Sequence, residues 1–278
     1  MYIPYAVNGG KAMRDLEKEV LLQHALDQGC NVWVIGDVHG FFESMEGLLG
    51  QLELEDGDWV VFLGDLIDRG PDSFGALNRV QATPNFTTVK GNHEAMMVEN
   101  FTERKMSQPD MDSLLWMKNG GDTTVTSYVR HFSGGKGFAH ETAMYERIRL
   151  DCKWINSLPT HLVLDRWRLV HAGYHPEQEL DGQDDEQYLW IRGLFHRTKR
   201  PVDDRRTVVF GHTPTAGLPG YSTRDWGRVW RSQVQLRDGR PASIGLDTCL
   251  YHGQVGPALL TAFNLQTGET RQQQRVEA

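Results

Sequence analysis

The chain has 278 residues, of which 39% are hydrophobic and 24% charged, with a formal net charge of −8. That balance is ordinary for a soluble globular protein with a large core, and the acidic excess argues against broad binding to nucleic acid or anionic membranes while leaving room for a local basic pocket. Three widely spaced cysteines, Cys30, Cys152 and Cys249, form no CxxC pair, which excludes a disulfide framework and a thiolate zinc site and makes a reducing cytoplasm the expected setting.

In chain order, Asn8 through Lys18 is rich in polar and charged residues and has no apolar secretion-signal core. Nowhere do about 18 consecutive apolar residues occur, so no membrane span is expected. Residues 11–29 set Met13, Leu16, Val20 and Leu21 at helical spacing and stop at Gly29, which predicts a helical extension over 1–30. Val32-Trp33-Val34-Ile35 is a strand-length run ending at Gly36-Asp37, and residues 41–52 then place Phe41, Met45, Leu48, Leu49 and Leu52 on one helical face.

The same arrangement recurs. Trp59–Leu63 runs into Gly64-Asp65, Thr87–Val89 into Gly91-Asn92-His93 after Lys90, Arg168–Val170 into His171, and Thr207–Phe210 into Gly211-His212. Each apolar run delivers a metal-capable residue at or just past a strand's C-terminal end, where open α/β sheets form their ligand sites. Residues 94–158 read as a helical cap between the third and fourth of these strands, with a loop at Gly134–Gly137. Within the cap, Trp116, Met117 and Tyr128 fall at helical spacing and read as core more readily than as cleft. The Thr213–Val234 loop carries Arg224, Trp226, Arg228, Trp230 and Arg231, equally readable as an ordinary exposed loop or as a cationic, aromatic rim. Ser243–Leu265 predicts strands with a hairpin. No linker composition forces a boundary, so one domain over 1–278 is expected.

The residues at the strand ends carry the chemistry. In Gly36-Asp37-Val38-His39-Gly40, an Asp and a His two apart can address one cation if the chain turns after the strand, which flanking glycines permit. Taken alone, such a pair is more often a cap or a solvated contact. In Gly64-Asp65-Leu66-Ile67-Asp68-Arg69-Gly70, Asp65 can bridge two cations, Asp68 can orient another group and Arg69 can bind phosphate bidentately; by itself the segment reads as a surface ion pair. Gly91-Asn92-His93-Glu94 offers an amide oxygen, and His171-Ala172-Gly173 and Gly211-His212-Thr213 each offer an imidazole, although a lone His is usually structural. The joint order GDxHG, GDxxDRG, GNHE, HAG, GHT is far more specific than any part. Asp37 and Asp65 are 28 residues apart, Asp65 and Asn92 are 27, about one βαβ unit per step. Imidazole, carboxylate and amide oxygen without thiolate suit Mn²⁺, Fe or Zn²⁺.

This set resembles the catalytic core of the PPP-type metallophosphatases, which have the calcineurin-like metallophosphoesterase fold and include the eukaryotic serine/threonine phosphatases and a bacteriophage-lambda-like bacterial branch closest in size. The resemblance spans roughly Val32 to Leu265. It implies a four-layer αββα sandwich with a binuclear metal centre at the C-terminal ends of the strands. It also implies that Asp37 and His39 hold the first metal, that Asp65 bridges both, and that Asn92, His171 and His212 complete the second. His93 would be the catalytic histidine with Asp68 as its partner, and Arg69, Arg192 and Asn92 would bind the substrate phosphate. Two positions depart from the family pattern: Cys249 stands where a Gly is usual after Asp247-Thr248, and His175 stands where an apolar residue is expected.

Two cations about 3.5–4 Å apart would acidify a shared water and draw charge from the phosphoryl oxygens, so hydroxide attacks directly without a phosphoenzyme. The expected cofactors are therefore two divalent ions, Mn²⁺ first. The expected substrate is a phosphorylated protein (phosphoserine or phosphothreonine, with phosphotyrosine included) or a small phosphate ester. The alternative is dinucleoside polyphosphate hydrolysis; the symmetrical hydrolases of that kind tend to lack the Asp of DRG and to carry GNHD. A dead scaffold would lack ligands that are present in this chain.

Overall fold

The computed structural model describes residues 13–101, 110–133, 138–253 and 256–278; residues 1–12 and the Gly134–Gly137 loop expected from the sequence lie outside them. Two five-stranded sheets are formed. The first runs, in spatial order, β10 (Thr270–Gln274), β9 (Leu259–Asn264), β1 (Val32–Ile35), β2 (Trp59–Phe62) and β3 (Phe86–Thr88). The second runs β4 (His161–Val163), β5 (Trp167–Val170), β6 (Thr207–Phe210), β8 (Ser243–Gly245) and β7 (Trp230–Arg231). β1, β2 and β3 are parallel, with Val34 opposite Val61 and Val61 opposite Thr87. β5, β6 and β8 are parallel as well, with Leu169 opposite Val209 and Val209 opposite Ile244.

Side chains alternate along a strand, so each sheet has two faces to bury. Val32, Val34 and Val61 point between the sheets, into a cluster with Leu169, Val209 and Ile244. Trp33, Ile35, Val60 and Phe62 point the other way. That outer face is covered by α2 (Phe42–Gln51), α3 (Ser73–Ala82), α4 (Asn92–Asn100), α5 (Met111–Trp116), α6 (Asp122–Phe132) and α7 (Phe138–Asn156), through residues such as Met45, Leu77, Met97, Trp116, Tyr128 and Ile155. Val170, Val208 and Phe210 carry the outer face of the second sheet, covered by α8 (Asp185–Trp190) and α9 (Gly193–His196) through Tyr188, Leu189 and Phe195. The layers are therefore α/β/β/α. Because β1, β2 and β6 are buried on both faces, they read in the sequence as continuous apolar runs rather than alternating ones. No helix among the described residues is long and apolar enough to cross a membrane.

Two local expectations change, and the 213–234 loop gains definite contacts. The N-terminal helix exists as α1 (Leu16–Asp27), but its buried residues are Glu19, Leu22 and Ala25, while Leu16 and Val20 are more than 60% exposed. The reason is polar: the Glu19 carboxylate accepts Arg14 Nε at 2.9 Å and the Val163 N–H at 2.9 Å, which rotates that face onto β4. The C-terminal hairpin joins β9 to β10 and so extends past Leu265; β10, Thr-Arg-Gln-Gln-Gln, is an exposed edge strand with no apolar signal. In the 213–234 loop, Trp230 is buried, with its indole N–H on Pro219 O at 2.9 Å, and the exposed Arg228 pairs with Asp225. Trp226 is half-buried, its ring 6.3 Å from that of His252, and Arg224 and Arg231 are exposed.

The buried face of α1 gives a discriminating test. Leu22→Ala, which opens a hole against the inter-sheet core, is expected to cost about 2–5 kcal/mol. Val20→Lys on the exposed face is expected to stay within about 0.5 kcal/mol of the parent. Chemical denaturation of the two variants checks both; equal losses would contradict the orientation of α1.

Candidate metal centre and active site

The strands end, and within a few residues the backbone turns sharply. His39, Asp65, Asp68, Arg69 and His212 have φ of 49°, 50°, 72°, 71° and 62°. For residues with a Cβ this left-handed region costs roughly 1–2 kcal/mol each. The turns are held by hydrogen bonds between loops. His39 N donates to Asp65 O at 2.8 Å, Gly40 N to Leu66 O at 2.7 Å, and Gly70 N returns to His39 O at 2.8 Å. Glu94, quoted in the sequence motif but given no role there, supplies the keystone. Its buried carboxylate accepts the N–H groups of Asp65 (2.8 Å), Leu66 (2.7 Å) and Gly91 (2.9 Å). Two glycines are required by close approach: a Cβ on Gly91 would lie 2.3 Å from Asp65 Oδ1, and one on Gly211 would lie 2.2 Å from Asp37 Oδ1.

These turns bring all the expected ligands together. One group comprises His39, Asp65 and His93, the other Asp65, His171 and His212, all buried, with Asp65 common to both. In the second group, His171 Nε2 lies 2.8 Å from Asn92 Oδ1, 3.1 Å from His212 Nδ1 and 3.4 Å from Asp65 Oδ1. His212 Nδ1 is 2.9 Å from the same Asn92 oxygen. His171 Nδ1 is 2.7 Å from Leu63 O, so it carries the ring proton and leaves Nε2 a bare lone pair. His39 is fixed in the same way by Nδ1 on Ile67 O at 3.0 Å. Its Nε2 lies 3.9 Å from Asp37 Oδ2 and 3.7 Å from Asp65 Oδ2. Acceptors that face one another without a proton between them are what a cation would reconcile, so the donor set fits two metal ions. Over the first group the Arg69 guanidinium already supplies positive charge, with Nη1 2.5 Å from His39 Nε2 and Nη2 3.1 Å from His93 Nε2.

Around the ligands stand the remaining expected residues. His93 Nδ1 lies 2.6 Å from Asp68 Oδ2. Sequence reading missed the groups that fix this carboxylate: Trp116 Nε1 donates to Oδ2 at 2.9 Å and Thr124 Oγ1 to Oδ1 at 2.6 Å. Arg192 Nη1 donates to His212 O at 3.2 Å and Thr213 Oγ1 at 2.7 Å, which places it beside the second group, whereas Arg69 reaches the first. Asp247 lies beside Asp37 and shares its electrostatics. Cys249, two residues on, has φ 74°, which gives the physical reason a glycine is usual there. Its buried thiol is pushed up to about 12, first by burial and then by the Asp247 carboxylate, and it lies near the backbones of Ala216 and Gly227. Tyr251, not anticipated from sequence, lies under Arg69 with 4.7 Å from guanidinium to ring centroid.

Without cations the electrostatics are unfavourable. Burial raises the pKa of Asp37 and Asp65 well above the carboxylate range, aided by Asp247 at Asp37 and by Asp37 at Asp65. Burial and then the charge of Arg69 lower His39, and burial lowers His171 to about 3.

Residues 30–238 match the model of the calcineurin-like phosphoesterase family, and the chain belongs to that family. It is a phosphoesterase of a metal-dependent family, and the His and Asp groups above fit a metal site. It is 41% identical to serine/threonine-protein phosphatase 2 of Escherichia coli, over 77% of this chain and 89% of that protein. It is also 32% identical to the symmetrical bis(5'-nucleosyl)-tetraphosphatase of Coxiella burnetii, over 86% and 90% of the two chains. A protein serine/threonine phosphatase structure from Saccharomyces cerevisiae shares the fold at TM-score 0.53 and 15% identity, covering 95% of this chain and 90% of that one.

The pKa directions predict how metal enters. Burial lowers the histidines, which favours their neutral form, and raises Asp37 and Asp65, which keep their protons to higher pH than free carboxyls, so a cation competes with those protons. Metal affinity is expected to rise with pH until those carboxyls ionise, with net proton release. Calorimetry of Mn²⁺ binding to metal-stripped protein in buffers of different ionisation enthalpy measures this; pH-independent binding without release contradicts it. Gly211→Ala, which changes no ligand, is expected to weaken metal binding at least tenfold, because the new methyl displaces Asp37.

Proposed function

We propose that the chain is a phosphoprotein phosphatase, hydrolysing phosphoserine, phosphothreonine and also phosphotyrosine monoesters with two divalent ions, Mn²⁺ by preference. The observation that carries this reading is the Asp68–His93 pair, 2.6 Å apart and set against the Arg69 guanidinium, which aims a proton donor and an anion clamp at one point. When bound, the metals supply positive charge to the phosphoryl oxygens and acidify a water. Asp37 and His39 would hold one, Asn92, His171 and His212 the other, with Asp65 shared.

The remaining work falls to the chain's own side chains. Arg69 presents a two-toothed fork that now spans two imidazole nitrogens and equally fits two phosphate oxygens. Arg192 lies beside the second group, and the Asn92 amide nitrogen is left for a phosphoryl oxygen because Oδ1 is turned to the histidines. Held from two sides, the phosphoryl group has few orientations left. His93 would protonate the leaving oxygen through Nε2. Burial and Arg69 lower its pKa, while burial raises Asp68 to about 7. These opposite shifts bring the proton affinities of the two groups together, and with Nδ1 2.6 Å from Oδ2 a proton given up through Nε2 can be replaced from Asp68.

His93→Asn is expected to lower kcat roughly 10²–10⁴-fold, with metal content by atomic emission unchanged; full activity would remove the general acid. Asp68→Asn should shift the alkaline limb of the pH–rate profile to lower pH, since the imidazole loses the carboxylate that holds its proton. An unmoved limb would show that Asp68 has only a packing role.

The similarity to a dinucleoside tetraphosphatase supports a second reading, hydrolysis of a polyphosphate chain at the same metals. The intact Asp68 and the Glu94 keystone favour the first. Turnover of a phosphopeptide, p-nitrophenyl phosphate and diadenosine tetraphosphate separates them. The first reading requires the phosphopeptide to have the higher kcat/KM, and a preference for the dinucleotide overturns it.

A further inference from the structure

We propose that the cleft opening from Arg69 away from the metal ligands is a second anion subsite. It would hold a carboxylate- or phosphate-bearing side chain a few residues from the phosphorylated residue of an acidic phosphopeptide. The inference rests on the phosphoprotein reading above. The cleft has a volume of about 730 Å³ and shares Arg69 and Tyr251 with the rim of the active site. Two further guanidinium groups line it. Arg130 projects from α6 and donates to Pro71 O at 3.2 Å, two residues along the chain from Arg69. Arg275 lies over the Phe41 ring at 5.2 Å and donates to Tyr251 O at 3.3 Å.

Backbone carbonyls are the recorded partners of both, and neither forms an ion pair with a carboxylate among the described residues. Among the described residues, Glu277 is the one acidic side chain lining the cleft, where it accepts the N–H and hydroxyl of Ser44, and Ala278 lines the cleft beside it. A chain of net charge −8 thus gathers three arginines around one concavity. Like charges in a cleft focus its potential and attract an anion beyond what the net charge suggests. Each guanidinium keeps N–H groups for a carboxylate or phosphate fork. An extended peptide advances about 3.3 Å per residue. With its phosphoryl group at Arg69, a peptide running this way carries its next side chains toward Arg130 and Arg275.

The test uses three phosphoserine peptides identical except downstream of the phosphoserine, where one carries glutamates, one glutamines and one a second phosphoserine. Rates on each are normalised to the same protein's rate on p-nitrophenyl phosphate. The wild type is expected to favour both acidic peptides over the glutamine peptide roughly tenfold in kcat/KM, the scale of one charge-assisted contact. The preference should vanish in Arg130→Glu, shrink in Arg275→Gln and weaken as salt is raised. Equal turnover of the three peptides by the wild type, or a preference that survives both substitutions, overturns the subsite. A glutamate preference without a phosphoserine preference assigns it to carboxylates, and the reverse to phosphate. Turnover of p-nitrophenyl phosphate or diadenosine tetraphosphate with none of any phosphopeptide overturns the phosphoprotein reading, and the subsite with it.

Discussion

The constraint on which the rest of this molecule depends is the mutual repulsion of buried acceptors. Asn92 Oδ1, His171 Nε2, His212 Nδ1 and Asp65 Oδ1 crowd within a few ångströms of one another. Asn92 Oδ1 and His171 Nε2 both offer lone pairs, and a proton on Asp65 or His212 can relieve only part of the crowding. They are placed there by the ends of strands locked in two parallel blocks, and the packing between the sheets resists their separation. The tight backbone turns at His39, Asp65 and His212 follow from the same demand. A strand that simply continued would carry these side chains past the crevice; a left-handed residue redirects them into it.

The burial that makes the site repulsive also makes it selective. In a dry pocket a carboxylate prefers a proton to a bare charge, and an imidazole prefers to lose one. The metal-free pocket therefore moves toward neutrality on both counts, as the opposite shifts of Asp65 and His171 show. The same dryness strengthens any charge–charge contact that is properly compensated. Arg69 exploits this, reaching two imidazole nitrogens from a loop laced to its neighbour by backbone hydrogen bonds.

Much of this was legible from the amino-acid order, and the rest was hidden for identifiable reasons. The strand ends were readable because strands buried on both faces make uninterrupted apolar runs, so a sudden Gly-Asp or Gly-His stands out. The ligand positions followed from five short motifs in a fixed order. What the sequence concealed were contacts made across long separations. Trp116 and Thr124 reach Asp68 from a helical segment roughly 50 positions away, and nothing local to either marks them as partners of a carboxylate. Arg130, Arg275 and Tyr251 meet only because α6, the C-terminal strand and the segment after β8 converge on one cleft. The face of α1 was misjudged because apolar spacing favoured Leu16 and Val20, whereas a glutamate paired to an arginine and to β4 decided which side was buried. The hairpin was cut short because β10 contains no apolar residue to announce it.

Cys249 turns one of these details into an instrument. Its sulfur is fully buried, lies near the Ala216 and Gly227 backbones of the 213–234 segment, and is kept as a thiol by its surroundings. A thiol in that state is inert to alkylating reagents while the loop is closed, because the reactive species is the thiolate. Opening of the segment exposes the sulfur and lowers its pKa toward that of a free cysteine. The residue that stands where a small, featureless one would serve is thereby a built-in chemical clock, whose labelling rate records how often this wall of the active site comes apart.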